Sequence, residues 1–176
     1  MNIKRRRFLT LGLASSAVLA VGASVGLGLR GTTMVPVPEG LTILNPRQFS
    51  IFHALAQCIV EPGEGMPSID ELETVSTIDH MLSEAHPEDV TQVLQALMLL
   101  ENALAGFLLE GRYRTFSGSS LEAQRQVLEQ WRTSGLTVKR QAFQALHGLC
   151  VTSYWGHPKA YAFAGYSGPP DFSFYG

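Results

Sequence analysis

Apolar residues recur every three or four positions through most of the sequence after residue 45, and this spacing limits the fold more than any other feature. The longest such run starts at Pro87, where Glu88 and Asp89 suit the first turn of a helix. Its middle, residues 97–100, is apolar on nearly every side. No segment alternates apolar and polar residues for long enough to build a sheet. The sequence therefore predicts an all-α bundle of about five helices, with residues 87–111 as its central helix.

Capping residues and helix breakers set the predicted helix ends. Asn45 is a good N-cap in front of Pro46, and the order Ser119-Ser120-Leu121-Glu122 is typical of a capping box. In the fourth helix, Leu121, Leu128 and Trp131 are expected to face the core. The predicted helices run from Asn45 to about Val60, from Ser68 or Asp70 to Ala85, from Pro87 to Gly111, from residues 119–120 to Trp131, and from about Val138 to Tyr154.

The first thirty residues differ in character and are set apart from the fold. Arg5 and Arg6, with Phe8 and Leu9 at the required offset, precede an uncharged run to Leu29, which is the pattern of a twin-arginine export signal. As a helix, the run from Phe8 to Leu29 would rise about 33 Å, so an ordinary membrane anchor is the alternative. Small residues near position 20 leave cleavage by a signal peptidase open. We expect export by the twin-arginine route, which carries folded cargo, and a location in the periplasm or at the outer face of the cytoplasmic membrane.

Residues 31–44 predict an extended linker between this leader and a helical domain at residues 45–176, because Pro36 and Pro38 hold the backbone away from helix. Residues 1–30 carry five basic residues and no acids, so the remaining chain has a formal charge of −7 instead of −2. An acidic domain is a poor nucleic-acid binder, since phosphate contacts need a basic face. We therefore expect no nucleic-acid partner.

Cysteines and histidines are too few, and wrongly spaced, for the common metal and haem motifs. Neither Cys-x-x-Cys-His nor His-Glu-x-x-His occurs, and Ser119 and Ser120 are better explained as helix caps than as nucleophiles. The sequence predicts no catalytic residue, metal site or bound cofactor in this chain. Cys58 and Cys150 suit a disulfide in an oxidising compartment and, equally, two small buried side chains.

The C-terminal stretch from residue 153 is irregular and aromatic. Glycine and proline are too frequent there for a long helix, while the aromatic side chains need burial against the bundle or against a partner. Folding back over the bundle is the expectation for the first two aromatic residues. The candidate partner interface consists of Tyr154, Trp155, Gly165, Tyr166, Gly168, Pro169, Pro170 and Phe172.

Several of these motifs together resemble one family. They are the leader Arg5-Arg6-x-Phe8-Leu9, the first-helix pattern Phe-x-x-Leu-Ala-x-Cys-Ile-Val-x-Pro-Gly at residues 52–63, and the closing Tyr-Trp-x-x-Pro and Gly-Tyr-x-Gly-Pro-Pro at residues 154–158 and 165–170. The chain resembles the gluconate 2-dehydrogenase subunit 3 family, the small subunits of membrane-bound flavin dehydrogenases that act on sugars, polyols and sugar acids.

The resemblance implies a non-catalytic subunit that supplies the export signal and helps a large flavoprotein subunit mature. FAD is then expected in that partner, since no Gly-x-Gly-x-x-Gly follows a predicted strand in this chain. The expected partners are the large dehydrogenase subunit, the twin-arginine translocation machinery and the membrane. A free-standing exported binding or envelope module is the alternative, and an enzyme in its own right is a third reading.

Overall fold

The computed structural model describes residues 32–102 and 114–168, and the structural statements below concern those residues. They form six helices and no strand, which confirms the predicted all-α class. The helices are α1 (Pro46–Val60), α2 (Thr74–Glu84), α3 (Pro87–Glu101), α4 (Leu121–Arg132), α5 (Thr137–Trp155) and α6 (Pro158–Tyr161). Residues 87–111 were predicted as the central helix, but among the described helices it is α5 that packs against all five others, and residues 103–111 lie outside the described residues.

The first helix forms where its capping chemistry predicts. The Asn45 side chain accepts a hydrogen bond from the Gln48 backbone N–H at 3.0 Å, and the Gln48 side chain accepts one from the Asn45 N–H at 3.0 Å. This reciprocal pair satisfies two donors that a helix start otherwise leaves free. One face of α1 then buries Phe49, Phe52 and Leu55, at about 1.5–3 kcal/mol of hydrophobic stabilisation for each side chain.

The predicted start of the second helix at Ser68 or Asp70 was wrong, because α2 begins at Thr74. Residues 68–73 instead form a separate turn that buries Ile69 and Leu72. The Thr74 N–H bonds the Ile69 carbonyl at 2.9 Å, and Glu73 takes a left-handed conformation with φ 48°. This is the hydrogen-bond pattern that ends a helix. The apolar spacing of the sequence therefore continues from the turn into α2, although the helical conformation is interrupted at Glu73.

Two further helix boundaries differ from the sequence prediction. The predicted helix to Gly111 was wrong, since α3 ends at Glu101 and Asn102, a weak helix former, has extended backbone. The N-cap of α4 is Ser120, so position N3 is Ala123 and the expected capping box does not form. Leu128 and Trp131 are buried as expected, whereas Leu121 lies at the surface.

Residues 32–44, which we call the strap, are extended as the prolines predict, but they are not a free linker. Val35, Val37, Leu41 and Ile43 pack against the core, and Leu44 is buried within it. The strap therefore belongs to the folded unit, and the predicted domain boundary at residue 45 is corrected to the start of the strap.

The carboxylate of Asp79 fixes the C-terminal end of the strap. Its Oδ2 accepts a hydrogen bond from the Thr42 N–H at 2.8 Å, and its Oδ1 accepts from Ile43 at 3.0 Å and from Leu44 at 2.7 Å. Asp79 is buried in α2, beside Ile78 and on the same face as Val75. The three hydrogen bonds that this buried carboxylate accepts are strong, because a charged acceptor strengthens each of them.

Buried hydroxyl groups fix the N-terminal end of the strap. The Thr33 N–H donates to Ser117 Oγ at 3.1 Å, and that hydroxyl donates in turn to Glu101 Oε1 at 2.6 Å. The Val35 N–H donates to Ser50 Oγ at 3.1 Å. The strap thus contacts α1, α2 and the turn before α4, and it joins parts of the chain that are distant in sequence.

Replacing the strap-binding carboxylate is expected to destabilise the fold strongly. Asp79→Asn removes the charge and presents an amide donor to backbone donors, so we expect a loss of about 2–4 kcal/mol in the free energy of unfolding. Urea denaturation measures this loss. Asp89→Asn, at an exposed position in the first turn of α3, is the control and is expected to cost less than about 1 kcal/mol. Equal losses for the two variants would contradict the role of Asp79.

Replacing the side chain of Thr74 is expected to stabilise the fold. This residue is completely buried at the start of α2, and the described residues provide no hydrogen-bond partner for its Oγ1. Thr74→Val keeps the shape and removes the unpaired hydroxyl, so the free energy of unfolding is expected to rise by about 1 kcal/mol. Thr152→Val, on an exposed site of α5, should change stability by less than about 0.5 kcal/mol. A less stable Thr74→Val protein in urea denaturation would show that the hydroxyl is bonded.

Candidate functional site

Residues 156–168, which we call the tail, fold back onto the bundle after α5. His157 caps the short helix α6 by accepting a hydrogen bond from the Lys159 N–H at its Nδ1, 3.2 Å away. Lys159 Nζ lies 3.6 Å from Glu71 Oε1 on the loop before α2. Ala160 is completely buried under this turn. The tail is therefore held by local capping, by an ion pair and by apolar contact.

The two aromatic residues that precede the tail belong mainly to the bundle. Tyr154 is completely buried, and its hydroxyl donates to the Pro67 carbonyl at 2.6 Å. Burial raises the pKa of Tyr154, and the negative charge of Glu71 raises it further. Trp155 is half-buried against the core with its ring edge-to-face on Tyr154, 5.2 Å between centroids. We therefore remove Tyr154 from the candidate interface and keep only the outer part of Trp155.

The outer face of the tail carries exposed aromatic side chains. Tyr166 is 47% exposed and lies edge-to-face on Tyr161 at 5.0 Å, so its ring is held in place rather than free. Phe163 is 49% exposed and was not among the predicted interface residues. The sequence feature that could have indicated Phe163 as an interface residue was its position three residues before Tyr166, in the same aromatic stretch.

The glycines of the tail give it its shape. Gly165 has φ 67° and Gly168 has φ 101°, conformations that side chains rarely adopt, so both turns favour glycine. Gly168 also lies close to the Tyr161 ring. The predicted interface residues Gly165, Tyr166 and Gly168 are thus brought together on one surface. Pro169, Pro170 and Phe172 lie outside the described residues, as do the export-signal residues Arg5, Arg6, Phe8 and Leu9.

Cys58 on α1 and Cys150 on α5 are both buried, and both are free thiols in the structure. Burial raises the pKa of Cys58 to about 11, with nearby Arg125 acting in the opposite direction. Burial also raises the pKa of Cys150, and the charge of a Cys58 thiolate would raise it further, so the two thiols face the same part of the core. Raised pKa values make thiols poor nucleophiles at neutral pH. A disulfide between them stays a prediction.

Histidines do not gather into a catalytic or metal site in the part of the chain that the structure describes. His53 Nε2 lies 3.0 Å from Asp70 Oδ1 and His80 Nε2 lies 3.8 Å from Glu84 Oε1, and each pair stands alone. Within residues 32–102 and 114–168, no group of three His, Cys, Asp or Glu side chains is placed to hold a metal ion. No helix in these ranges has the length and apolar character needed to cross a membrane.

Other buried charged groups have structural contacts. Lys139 is buried with its Nζ 5.6 Å from the centre of the Trp131 ring, a distance at which a cation is attracted to the ring face. Glu101 bonds the N–H and the hydroxyl of Ser117. The surface that remains as the candidate functional site is therefore the outer face of the tail. Comparisons with protein-family models, with curated proteins and with solved structures found no match to this chain.

The buried Cys58 thiol predicts a loss of stability in alkali. The unfolded thiol, with its ordinary pKa of 9.0, ionises before the folded one, whose pKa is about 11. The free energy of unfolding should therefore fall as the pH rises from 9 towards 11. In urea denaturation with a reductant present, Cys58→Ala is expected to show a shallower fall than the parent protein. Val127→Ala, another truncation of a buried side chain, controls for the cavity, and identical slopes for the two variants would contradict the prediction.

Proposed function

We propose that this protein is the non-catalytic small subunit of an exported flavin-dependent dehydrogenase acting on a sugar, a polyol or a sugar acid. Its leader takes the complex to the twin-arginine translocon, and the bundle binds the large subunit, which carries FAD. The complex is located in the periplasm or at the outer face of the cytoplasmic membrane. The proposal depends on the leader pattern and on the family resemblance of residues 52–63, 154–158 and 165–170.

The outer face of the tail is the structural observation that carries the proposal. Phe163 and Tyr166 are exposed on a segment that Tyr161, Gly165 and the Lys159–Glu71 ion pair hold in a fixed shape. Exposed aromatic groups on an ordered surface lose little conformational entropy on binding, which is why interface cores are rich in them. This surface suits a protein partner.

The strap is consistent with the proposed route of export. A translocon for folded proteins lets a flavoprotein load its cofactor before it crosses the membrane. Thr33 and Leu44, at the two ends of the strap, are bonded to the folded bundle, so the leader is joined directly to a folded unit. One signal on a bound small subunit is then sufficient for both chains.

Co-expression with a large flavin-dependent dehydrogenase subunit, chosen from the genes that adjoin this one, tests the proposal. We expect the two chains to co-purify, and Phe163→Ala with Tyr166→Ala to weaken the complex by about tenfold or more, because central aromatic contacts dominate binding energy. Leu136→Ala with Val138→Ala is the matched control, since these side chains are 56% and 62% exposed elsewhere on the bundle. The control should bind like the parent, and both double variants should keep their thermal stability.

A separate variant tests the proposed export by the twin-arginine route. Changing Arg5 and Arg6 to Lys should leave both chains in the cytoplasm. Recovery of an exported, active dehydrogenase with that variant would count against the proposal. Failure of any flavoprotein to co-purify would favour a free-standing exported module, and a prosthetic group or turnover in the isolated chain would favour an enzyme.

A further inference from the structure

Two free thiols lie inside the core on two helices that pack against each other. Cys58 is in α1 and Cys150 is in α5, and both belong to the same cluster of buried side chains. Besides burial, the charge of a Cys58 thiolate raises the pKa of Cys150, and because this effect falls with distance, the two sulfur atoms lie near each other. In an oxidising compartment, two neighbouring thiols are the reactants of a disulfide.

The two thiols differ in their access to solvent. Cys58 is 6% exposed and lies in the last turn of α1, which ends at Val60. Cys150 is completely buried, one turn before the buried Tyr154. Disulfide exchange begins when a thiolate attacks a sulfur atom of the oxidant, so the attacking thiol must be within reach of that oxidant. An oxidant in solvent therefore meets Cys58 first, and Cys150 reacts only from within the protein.

An ion pair between α4 and the end of α1 lies beside Cys58. Arg125 on α4 bonds the carboxylate of Glu61, which caps α1 three positions after Cys58. Burial raises the pKa of Cys58 most, while the charge of Arg125 lowers it and that of Glu61 raises it, so both side chains are close to the thiol. Arg125 and Glu61 are 40% and 57% exposed, whereas Cys58 is almost fully buried. The ion pair therefore lies on the solvent side of the thiol.

This ion pair can open while the helices stay together. An exposed ion pair is weak, because water and salt screen its charges. The contact between α1 and α5 is instead made within the apolar core. Opening of the ion pair would uncover Cys58 without separating it from Cys150.

We infer that Cys58 and Cys150 are a redox pair in which Cys58 meets the oxidant, Cys150 closes the disulfide, and the ion pair of Arg125 and Glu61 limits access to Cys58. The inference rests on the export part of the proposed function, which supplies the oxidising compartment, and it does not require the dehydrogenase. The oxidant is itself a disulfide, either a small molecule or a protein.

The reaction consists of two thiol–disulfide exchanges. The Cys58 thiolate attacks one sulfur of the oxidant, a new S–S bond forms, and the other half of the oxidant leaves as a thiolate. The Cys150 thiolate then attacks the Cys58 sulfur and releases the second half as a thiolate. The two protons of the protein thiols pass through solvent to the released thiolates. The protein pair thus loses two electrons, and the oxidant gains them.

Trapping of the mixed disulfide tests the roles of the two thiols. The reduced full chain, purified in a mild detergent, is incubated with glutathione disulfide at mildly alkaline pH, quenched with acid and analysed by mass spectrometry. We expect an internal disulfide in the parent and a glutathione adduct on Cys58 in Cys150→Ser, with no adduct in Cys58→Ser over the same time. Cys58→Ala and Cys150→Ala repeat the test without a buried hydroxyl group.

Three results would overturn these roles. They are an adduct on Cys150 in Cys58→Ser, a parent protein that stops at the mixed disulfide, and a folded parent that does not react although its urea-unfolded form does. Each of them would show that Cys58 is not the point of entry or that Cys150 does not reach it.

Two substitutions separate the access that the ion pair limits from the effect of its charges. Glu61→Gln and Arg125→Gln both break the pair, so both should speed the oxidation of Cys58 several-fold. Charge effects alone would speed the reaction in Glu61→Gln and slow it in Arg125→Gln, because only Arg125 favours the thiolate. That opposite pattern, or unchanged rates, would contradict the role of the ion pair.

A second exposed ion pair on α4 provides the matched control. Arg132 bonds Glu129 at 2.7 Å, and the two side chains are 57% and 56% exposed. Glu129→Gln and Arg132→Gln should oxidise at the parent rate. In cells, acid trapping and alkylation of the exported full chain should show the disulfide. An exported chain with two free thiols would contradict this inference, whereas a chain that is not exported would contradict the proposed function and leave the results with the purified protein standing.

Discussion

The carboxylate of Asp79 is the interaction on which the arrangement of the strap depends. It accepts three backbone donors from Thr42, Ile43 and Leu44 inside the core, where an unpaired donor costs about 1–3 kcal/mol. An extended segment cannot satisfy its own donors, so packing alone could not bury Leu44 and its neighbours. The paired carboxylate makes that burial favourable, and it joins a segment without secondary structure to the centre of a helical bundle.

Apolar spacing was sufficient to predict the helical class, because a helix shows its buried face directly in sequence. Asn45 and Pro87 likewise predicted two helix starts through local chemistry. The wrong predictions are helix boundaries that tertiary contacts determine. Ile69 and Leu72 continue the apolar spacing of α2, yet the left-handed conformation of Glu73 separates their turn from the helix. Periodicity reports which side chains are buried, and not whether the backbone between them is continuous.

For the strap and the candidate site, the sequence likewise predicted local conformation but not tertiary contacts. Pro36 and Pro38 predicted an extended conformation, but nothing local predicted that Ser50, Ser117 and Asp79 would bind it. Asp79 did leave a signal, since it follows Val75 by four residues and so shares the buried face of α2. In the tail, aromatic content indicated an interface, whereas only the fold separates the buried Tyr154 from the exposed Tyr166.

The hydrogen bond between Thr33 and Ser117 joins residues 84 positions apart. At about 5–20 residues per second, a ribosome needs roughly 4–17 s after making the first residue to make the second. The acceptors for Thr42 to Leu44 also come later, by 35–37 positions. The earliest part of the domain to be synthesised is thus completed by residues made 35 to 84 positions later. A leader attached to this segment emerges well before its domain is whole, because α5, which packs against the five other helices, ends only at Trp155.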